Sequence, residues 1–321
     1  MYEMLLSADM MVPDPDRMAQ LLVEKLGIHA HPNWRQAFDN HPYIAHFLRV
    51  QKSLAFAPTR IEPQVHLNRP NPGDPLFHDQ LIALERYQGA KRPMLTHSVV
   101  LVTWEEKLNA LIERLHQRKL RFRLAQRTPE MDFDRLWLGV TAEDLNYDPS
   151  VDGGLCIEFI PMEPTRMPPG AFEIPPPAPV NPAPGELLRV TARGFLVRDL
   201  SFTLGRLEEN LDWTPHSVEN LPSEGYRRAR MGFTMPHSAT LDVIEPEIWN
   251  SAAGRYLNNW GPGLYYIRIG VHDLGAKAEQ LRSQGVKFDW RDECEAVGGR
   301  PLITIDPSEL NGQLFEFEGL S

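Results

Sequence analysis

A short apolar strand with one carboxylate in its middle occurs twice in this chain, as Gly154-Leu-Cys-Ile-Glu158-Phe159 and as Gly312-Gln-Leu-Phe-Glu316-Phe317. A carboxylate inside an apolar strand is costly unless it is paired or bound to a metal, so each copy needs a partner. Other segments repeat without gaps: Leu115 to Phe122 matches Leu281 to Phe288, and Val12 to Leu26 matches Val197 to Leu211. Repetition on this scale marks a doubled structure, and 321 residues suit two domains of ordinary size.

Ten of the 29 prolines lie between Pro161 and Pro184, a composition that favours extended polyproline II over helix or central strand. This segment reads as a linker, 161–186, between a first domain, 1–160, and a second, 187–321. Each side gives strand, helix and three strands, twice over. The openings are Met4 to Val12, His97 to Val102, Leu188 to Val197 and Leu264 to Val271. The helices are Asp14 to Leu26 (stopped by Gly27), Glu105 to Arg118, Leu200 to Leu211 and Ala276 to Gln284, with a further amphipathic stretch at Phe77 to Gln88. The fold class is therefore α+β, with four βαβββ modules paired into two domains that each enclose a cavity.

Composition narrows the partners. A net charge of −10 argues against nucleic acid and anionic membrane. No apolar run reaches the roughly 18 residues of a membrane span, and the start lacks a secretory signal, so a cytoplasmic location is expected. Cys156 and Cys294 are too few for a disulfide framework, and both thiols are expected to be free. Nucleotide, serine-hydrolase and zinc-protease motifs are absent. A small-molecule substrate is the expected partner. The linker can also let halves exchange between copies, which admits a homo-oligomer.

The strand endings Val12-Pro-Asp14, Val197-Arg-Asp199 and Val271-His-Asp273, with the closing Gly-x-x-[Ile/Phe]-Glu-Phe, resemble those of the vicinal oxygen chelate superfamily. This superfamily includes glyoxalases, bleomycin-resistance proteins and extradiol dioxygenases. The second module departs from the pattern, with Val102-Thr-Trp104. The resemblance implies glyoxalase-like domains with a divalent metal held by first and last strands of paired modules. Counting back from each terminal valine puts Ser7, His97, Ala192 and Tyr266 at the first-strand position, of which only His97 is a usual ligand. The last-strand positions are Glu158 and Glu316 and, by aligning Gln64 to Leu67 with Thr240 to Val243, His66 and Asp242.

The metal set the resemblance implies is thus His66, His97 and Glu158. Two imidazoles and a carboxylate suit Fe(II) or Mn(II), with Zn(II) also admitted. Plainer readings stand beside these: a hydrogen-bonded strand histidine for His97, a salt bridge for Glu158, and a slipped register for His66. The second half is expected to be a degenerate copy that encloses a core or an organic ligand, or else a polar site of Tyr266, Glu316 and Asp242. His29, His31, His41 and His46 read as loop histidines, and Cys156 as a packed thiol. Three functions follow from the resemblance: first an extradiol-type ring-cleaving dioxygenase, then a glyoxalase- or epimerase-like lyase or isomerase, then a metal-free small-molecule binding protein of the resistance type.

Overall fold

The computed structural model describes residues 1–29, 35–37, 43–50, 59–66, 99–125, 134–141, 143–144, 146–162 and 181–320. The stretch Phe77 to Gln88 lies outside them, as do His31, His41 and His97.

The first half opens with β1 (Met4–Leu5) and β2 (Ser7–Met11), one strand interrupted at Leu6. Helix α1 (Pro15–Leu21) follows, capped by the Asp14 carboxylate on the Arg17 N–H, with proline in its first turn. A π-helical turn, Leu22–Leu26, extends it to Gly27, which takes the left-handed conformation at φ 74°. Strands β3 (Arg35–Ala37), β4 (Tyr43–His46) and β5 (Arg60–His66) complete the unit. The next unit is β6 (Val99–Thr103), α2 (Glu105–Gln117), β7 (Phe122–Ala125), β8 (Arg135–Leu138) and β9 (Ile157–Pro161).

The second half repeats the order. It runs β10 (Leu187–Leu196), α3 (Leu200–Leu211), β11 (Ser217–Leu221), β12 (Tyr226–Met231) and β13 (Thr240–Pro246). After α4 (Ala252–Trp260) come β14 (Gly263–Val271), α5 (Leu274–Ser283), β15 (Phe288–Cys294), β16 (Arg300–Ile305) and β17 (Leu314–Gly319). Periodicity alone does not mark β11 and α4, because β11 turns its mid-strand apolar residue, Val218, outward and α4 is a short helix that needs its tertiary neighbours.

The eight strands of the second half form one sheet, ordered β11-β12-β13-β10-β14-β17-β16-β15, in which the two opening strands β10 and β14 are antiparallel neighbours. The first half divides between a five-stranded sheet, β1-β6-β9-β8-β7, and a four-stranded one, β2-β5-β4-β3. The interruption at Leu6 is where they part. The whole is a mixed α+β fold of several sheets, consistent with βαβββ units.

One apolar cluster draws on both halves. Met18 and Leu22 from the first helix, Leu111 of α2, Leu207 of α3 and Leu281 of α5 meet Phe159, Phe195 and Phe317 from the strands. Polar contacts knit the same interface. The Thr203 hydroxyl donates to the Gly153 carbonyl at 2.7 Å, an approach that leaves no room for a Cβ at Gly153. Lys277 Nζ donates to the Leu26 carbonyl at 2.8 Å, and the Thr234 and Met235 N–H groups donate to the Tyr2 and Glu3 carbonyls. Arg193, with no exposed side-chain surface, lies 3.6 Å from Asp9. Among the described residues no helix is long and apolar enough to cross a membrane.

Candidate functional site

Strand alternation separates two faces in each half. In β9, Ile157 and Phe159 join the shared core, while Glu158 and Ile160 point away from it. On that second face Met4, Leu6, Val102, Ile160, Met162 and Met235 form a separate apolar cluster with Val100 packed on it. Glu158 is the buried carboxylate of this wall, and its Oε1 lies 2.6 Å from Arg135 Nε. The salt-bridge partner expected of a strand carboxylate is therefore Arg135, from the neighbouring β8. Trp137, on the same strand, offers its ring 5.8 Å from the Arg135 guanidinium.

His66 ends β5 opposite Tyr43 of β4. Sheet register gives the strand correspondences that the sequence alignment approximated. In β5, Gln64 stands opposite Met11 and its carbonyl accepts from the Val12 N–H; in β13, Ile244 stands opposite Leu196 and accepts from the Val197 N–H. Two residues back, Glu62 faces Asp9 and Asp242 faces Gly194. The counterpart of Asp242 is accordingly Glu62, four residues before His66. Glu62 is buried and accepts from Arg60 Nε at 3.0 Å, and that guanidinium lies 3.9 Å over the Phe47 ring.

The opening strands show a smaller offset. Glu158 stands beside Val100, two residues before Val102, whereas Glu316 stands beside Arg268, three before Val271. Counting from the terminal valines therefore runs one residue out of phase between β6 and β14.

The second half brings Asp242, Tyr266 and Glu316 together, on the face turned away from the helices of the shared core. The Tyr266 hydroxyl donates to Asp242 Oδ2 at 2.6 Å. Burial, first of all, holds the Tyr266 phenol well above its ordinary pKa, so it is a neutral donor. Arg268 Nε donates to Glu316 Oε2 at 2.9 Å, and Arg228 lies 3.4 Å from Asp242 Oδ2. Arg228, Arg230 and Arg268 all donate to the Ala296 carbonyl, at 2.9, 3.1 and 3.3 Å. That carbonyl belongs to the 3₁₀ turn Glu295–Val297, which is fastened by the Ser223 hydroxyl donating to Glu295 at 2.6 Å. Around this network Ala192, Leu196, Tyr226, Ile244, Leu257 and Leu302 pack an apolar cluster, with α4 supplying Ala253 and Leu257. The face thus combines an apolar core with a polar network inside it.

Gly194 makes the arrangement feasible. A Cβ there would come within 2.7 Å of the Tyr266 ring, so the glycine leaves the space in which Tyr266 crosses toward Asp242.

The arginines are what sequence reasoning missed. Arg228 and Arg268 are buried and hydrogen-bonded. Arg268 sits between Ile267 and Ile269 in a strand buried throughout, and that position was the available signal.

Among the described residues no group of three His, Cys, Asp or Glu side chains gathers as a metal site. Neither cysteine forms a disulfide, and both are buried. Burial, and then the Glu224 carboxylate to which its Sγ donates at 3.2 Å, pushes the Cys294 thiol up to about 11. His46 lies in β4 with Nε2 2.6 Å from Asp16, which also accepts from Arg35.

No family model matches the chain. The uncharacterized protein YqjC of Bacillus subtilis (strain 168) is 28% identical over 90 residues. That match covers 28% of this chain and 64% of the relative, so the chain spans just under two thirds of the relative's length. Among solved structures, methylmalonyl-CoA epimerase from Mycobacterium tuberculosis is similar over 41% of this chain and 87% of its own, at 24% identity and a TM-score of 0.37. A Streptomyces coelicolor methylmalonyl-CoA epimerase, solved in complex with 2-nitronate-propionyl-CoA, matches 42% of this chain and 99% of its own, at 24% identity and a TM-score of 0.38. These neighbours belong to the vicinal oxygen chelate (glyoxalase-like) superfamily, the one the sequence resembles.

Proposed function

We propose that the chain consists of four βαβββ modules in two paired halves, 1–160 and 187–321 joined by 161–186, and that the first half is the working one. Its activity is that of an epimerase- or isomerase-like enzyme on a small substrate with neighbouring oxygens. The observation that carries this reading is Glu158, a buried carboxylate on an otherwise apolar wall with Arg135 at its side. A carboxylate so placed can take a proton from carbon beside a carbonyl and return it. The adjacent guanidinium can hold the negative charge that develops on the substrate oxygen. The apolar wall of Met4, Leu6 and Val102 excludes water from that exchange.

In this reading His97 joins Glu158 in holding a divalent metal, His66 being left out because it lies four residues past the register match at Glu62; an imidazole and a carboxylate are donor types that suit Fe(II) or Mn(II), and Zn(II) is also accommodated. The metal, when bound, would polarise the substrate oxygens.

The test is solvent deuterium exchange. Under anaerobic conditions the protein should exchange the α-hydrogen of a hydroxycarbonyl or 2-substituted acyl substrate, and Glu158→Gln should abolish the exchange while Glu316→Gln leaves it intact. Oxygen uptake with a catechol, and no exchange, would return the assignment to a ring-cleaving dioxygenase. Tight binding of a small aromatic with neither reaction would make it a binding protein.

A further inference from the structure

Asp242, Tyr266 and Glu316 bring oxygen donors from β13, β14 and β17 to one buried face, and oxygen sets of this kind hold hard divalent cations. A buried carboxylate requires a compensating cation or a full set of hydrogen bonds. Here the compensation is covalent to the chain. Arg268 reaches Glu316 through Nε at 2.9 Å and through a second nitrogen at 2.8 Å, and Arg228 approaches Asp242 at 3.4 Å. Arg268 Nη1 ends on the Ala296 carbonyl, and Arg228 reaches Asp242 and Ala296 through Nη1 and Glu219 through Nη2 at 2.5 Å, so their far sides are also engaged. The Arg268 guanidinium further lies 4.7 Å over the Tyr266 ring, whose hydroxyl is committed to Asp242.

The geometry points to Arg228 and Arg268 as built-in cations that stand where a divalent ion would otherwise be held between Asp242 and Glu316. With Glu219 and Arg230 counted, three carboxylates are matched by three guanidinium groups. A divalent ion added to that set would leave an uncompensated buried charge beside two cations, a penalty no arrangement of the remaining oxygens relieves. This buried face of the second half is therefore metal-independent, whatever the first half holds.

Full-length protein stripped with a chelator and dialysed against Mn(II) tests this by metal content. Glu316→Gln and Asp242→Asn should leave the Mn(II) stoichiometry of the wild type unchanged. Arg268→Ala, which opens the space beside Glu316 and uncovers its charge, should gain one Mn(II) equivalent, and adding Glu316→Gln to that variant should remove the gain. Loss of an equivalent from Glu316→Gln alone would overturn the inference, as would an Arg268→Ala protein that is folded by circular dichroism and gains none. If Arg268→Ala fails to fold, the wild-type comparison with Glu316→Gln and Asp242→Asn still decides. Any first-half metal is common to every arm, so failure here leaves the first-half reading standing.

Discussion

Carboxylates occupy corresponding strand positions in the two halves, Glu62 and Glu158 in one and Asp242 and Glu316 in the other, but their cations come from different places. Beside Glu316 the central strand itself supplies Arg268; beside Glu158 the same position is Val100, and the guanidinium arrives from the flanking strand as Arg135. The consequence is exposure. Arg268 has 2% of its side chain accessible and Arg135 22%. One residue on a central strand thus separates a face sealed around an ion-pair network from one that keeps a carboxylate on an apolar wall with a more exposed partner.

Separating the halves is the strongest way to probe that contrast. The shared core and the contacts of Thr203, Lys277 and Arg193 with the first half leave neither half a complete interior. Residues 187–321 expressed alone should lack a cooperative unfolding transition, and a full chain nicked within the linker should stay together on gel filtration. An isolated second half with a sharp, reversible transition would show that the sealed half is sufficient by itself.

Within the full chain, Arg268→Ala should cost about 3–5 kcal/mol in urea denaturation, because it strands a buried carboxylate. Combining Arg268→Met with Glu316→Gln should recover most of that loss, since well-packed neutral groups replace buried ion pairs at little net cost. Arg135→Ala should cost less than Arg268→Ala, as water at the rim can solvate what the arginine leaves. Equal losses would erase the distinction drawn between the halves. Gly194→Ala comes next, at about 1–3 kcal/mol, by forcing Tyr266 off Asp242. An alanine variant as stable as the wild type would mean that the ring has another place to go.

The sequence repeat located Glu158 and Glu316 correctly as mid-strand carboxylates, because a charge flanked by Ile157 and Phe159, or by Phe315 and Phe317, is tolerated only on the opposite face of a strand with a partner beside it. It also joined Asp242 to Tyr266 and Glu316. What it could not give was register. Hydrogen bonding sets register, and the break at Leu6 and the irregularities along β10 shift residues without changing their order. Gln64 to Leu67 aligned with Thr240 to Val243 and pointed to His66, a slip of four residues, since the β2–β5 and β10–β13 pairings make Glu62 the match. The arginines were illegible for a different reason. Tyr226-Arg-Arg-Ala-Arg-Met231 looks like a solvated edge until β11 and β13 are placed on either side of it.

Cys294 gives a pH-dependent mark of the sealed half. Its thiol is pushed up to about 11, first by burial and then by Glu224, so the folded state favours the neutral form. Its contribution to stability is present below the ordinary thiol pKa and is lost as pH rises through about 11. Alkylation of Cys294 in the native protein at pH 8 should be far slower than in urea. Rapid native labelling would show that the Glu295–Val297 turn opens readily.

The smallest effect belongs to the first half's surface. Asp16 is held down to about 2, chiefly by the hydrogen bond from Arg35, with His46 also contributing. A depressed carboxylate stabilises the fold above its ordinary pKa, and that contribution is lost as pH falls toward about 2. Asp16 is 52% exposed, so solvent screening limits the contribution to less than about 1 kcal/mol. Asp16→Asn should therefore lower the midpoint of urea unfolding slightly at pH 7 and leave it equal to the wild type near pH 2. It should do so without changing the Glu158-dependent exchange, because Asp16 lies at the start of α1 and the wall around Glu158 is built from β1, β6 and β9. A change in exchange with Asp16→Asn would tie the surface cluster to the working site and would show that Asp16 and Glu158 do not act separately.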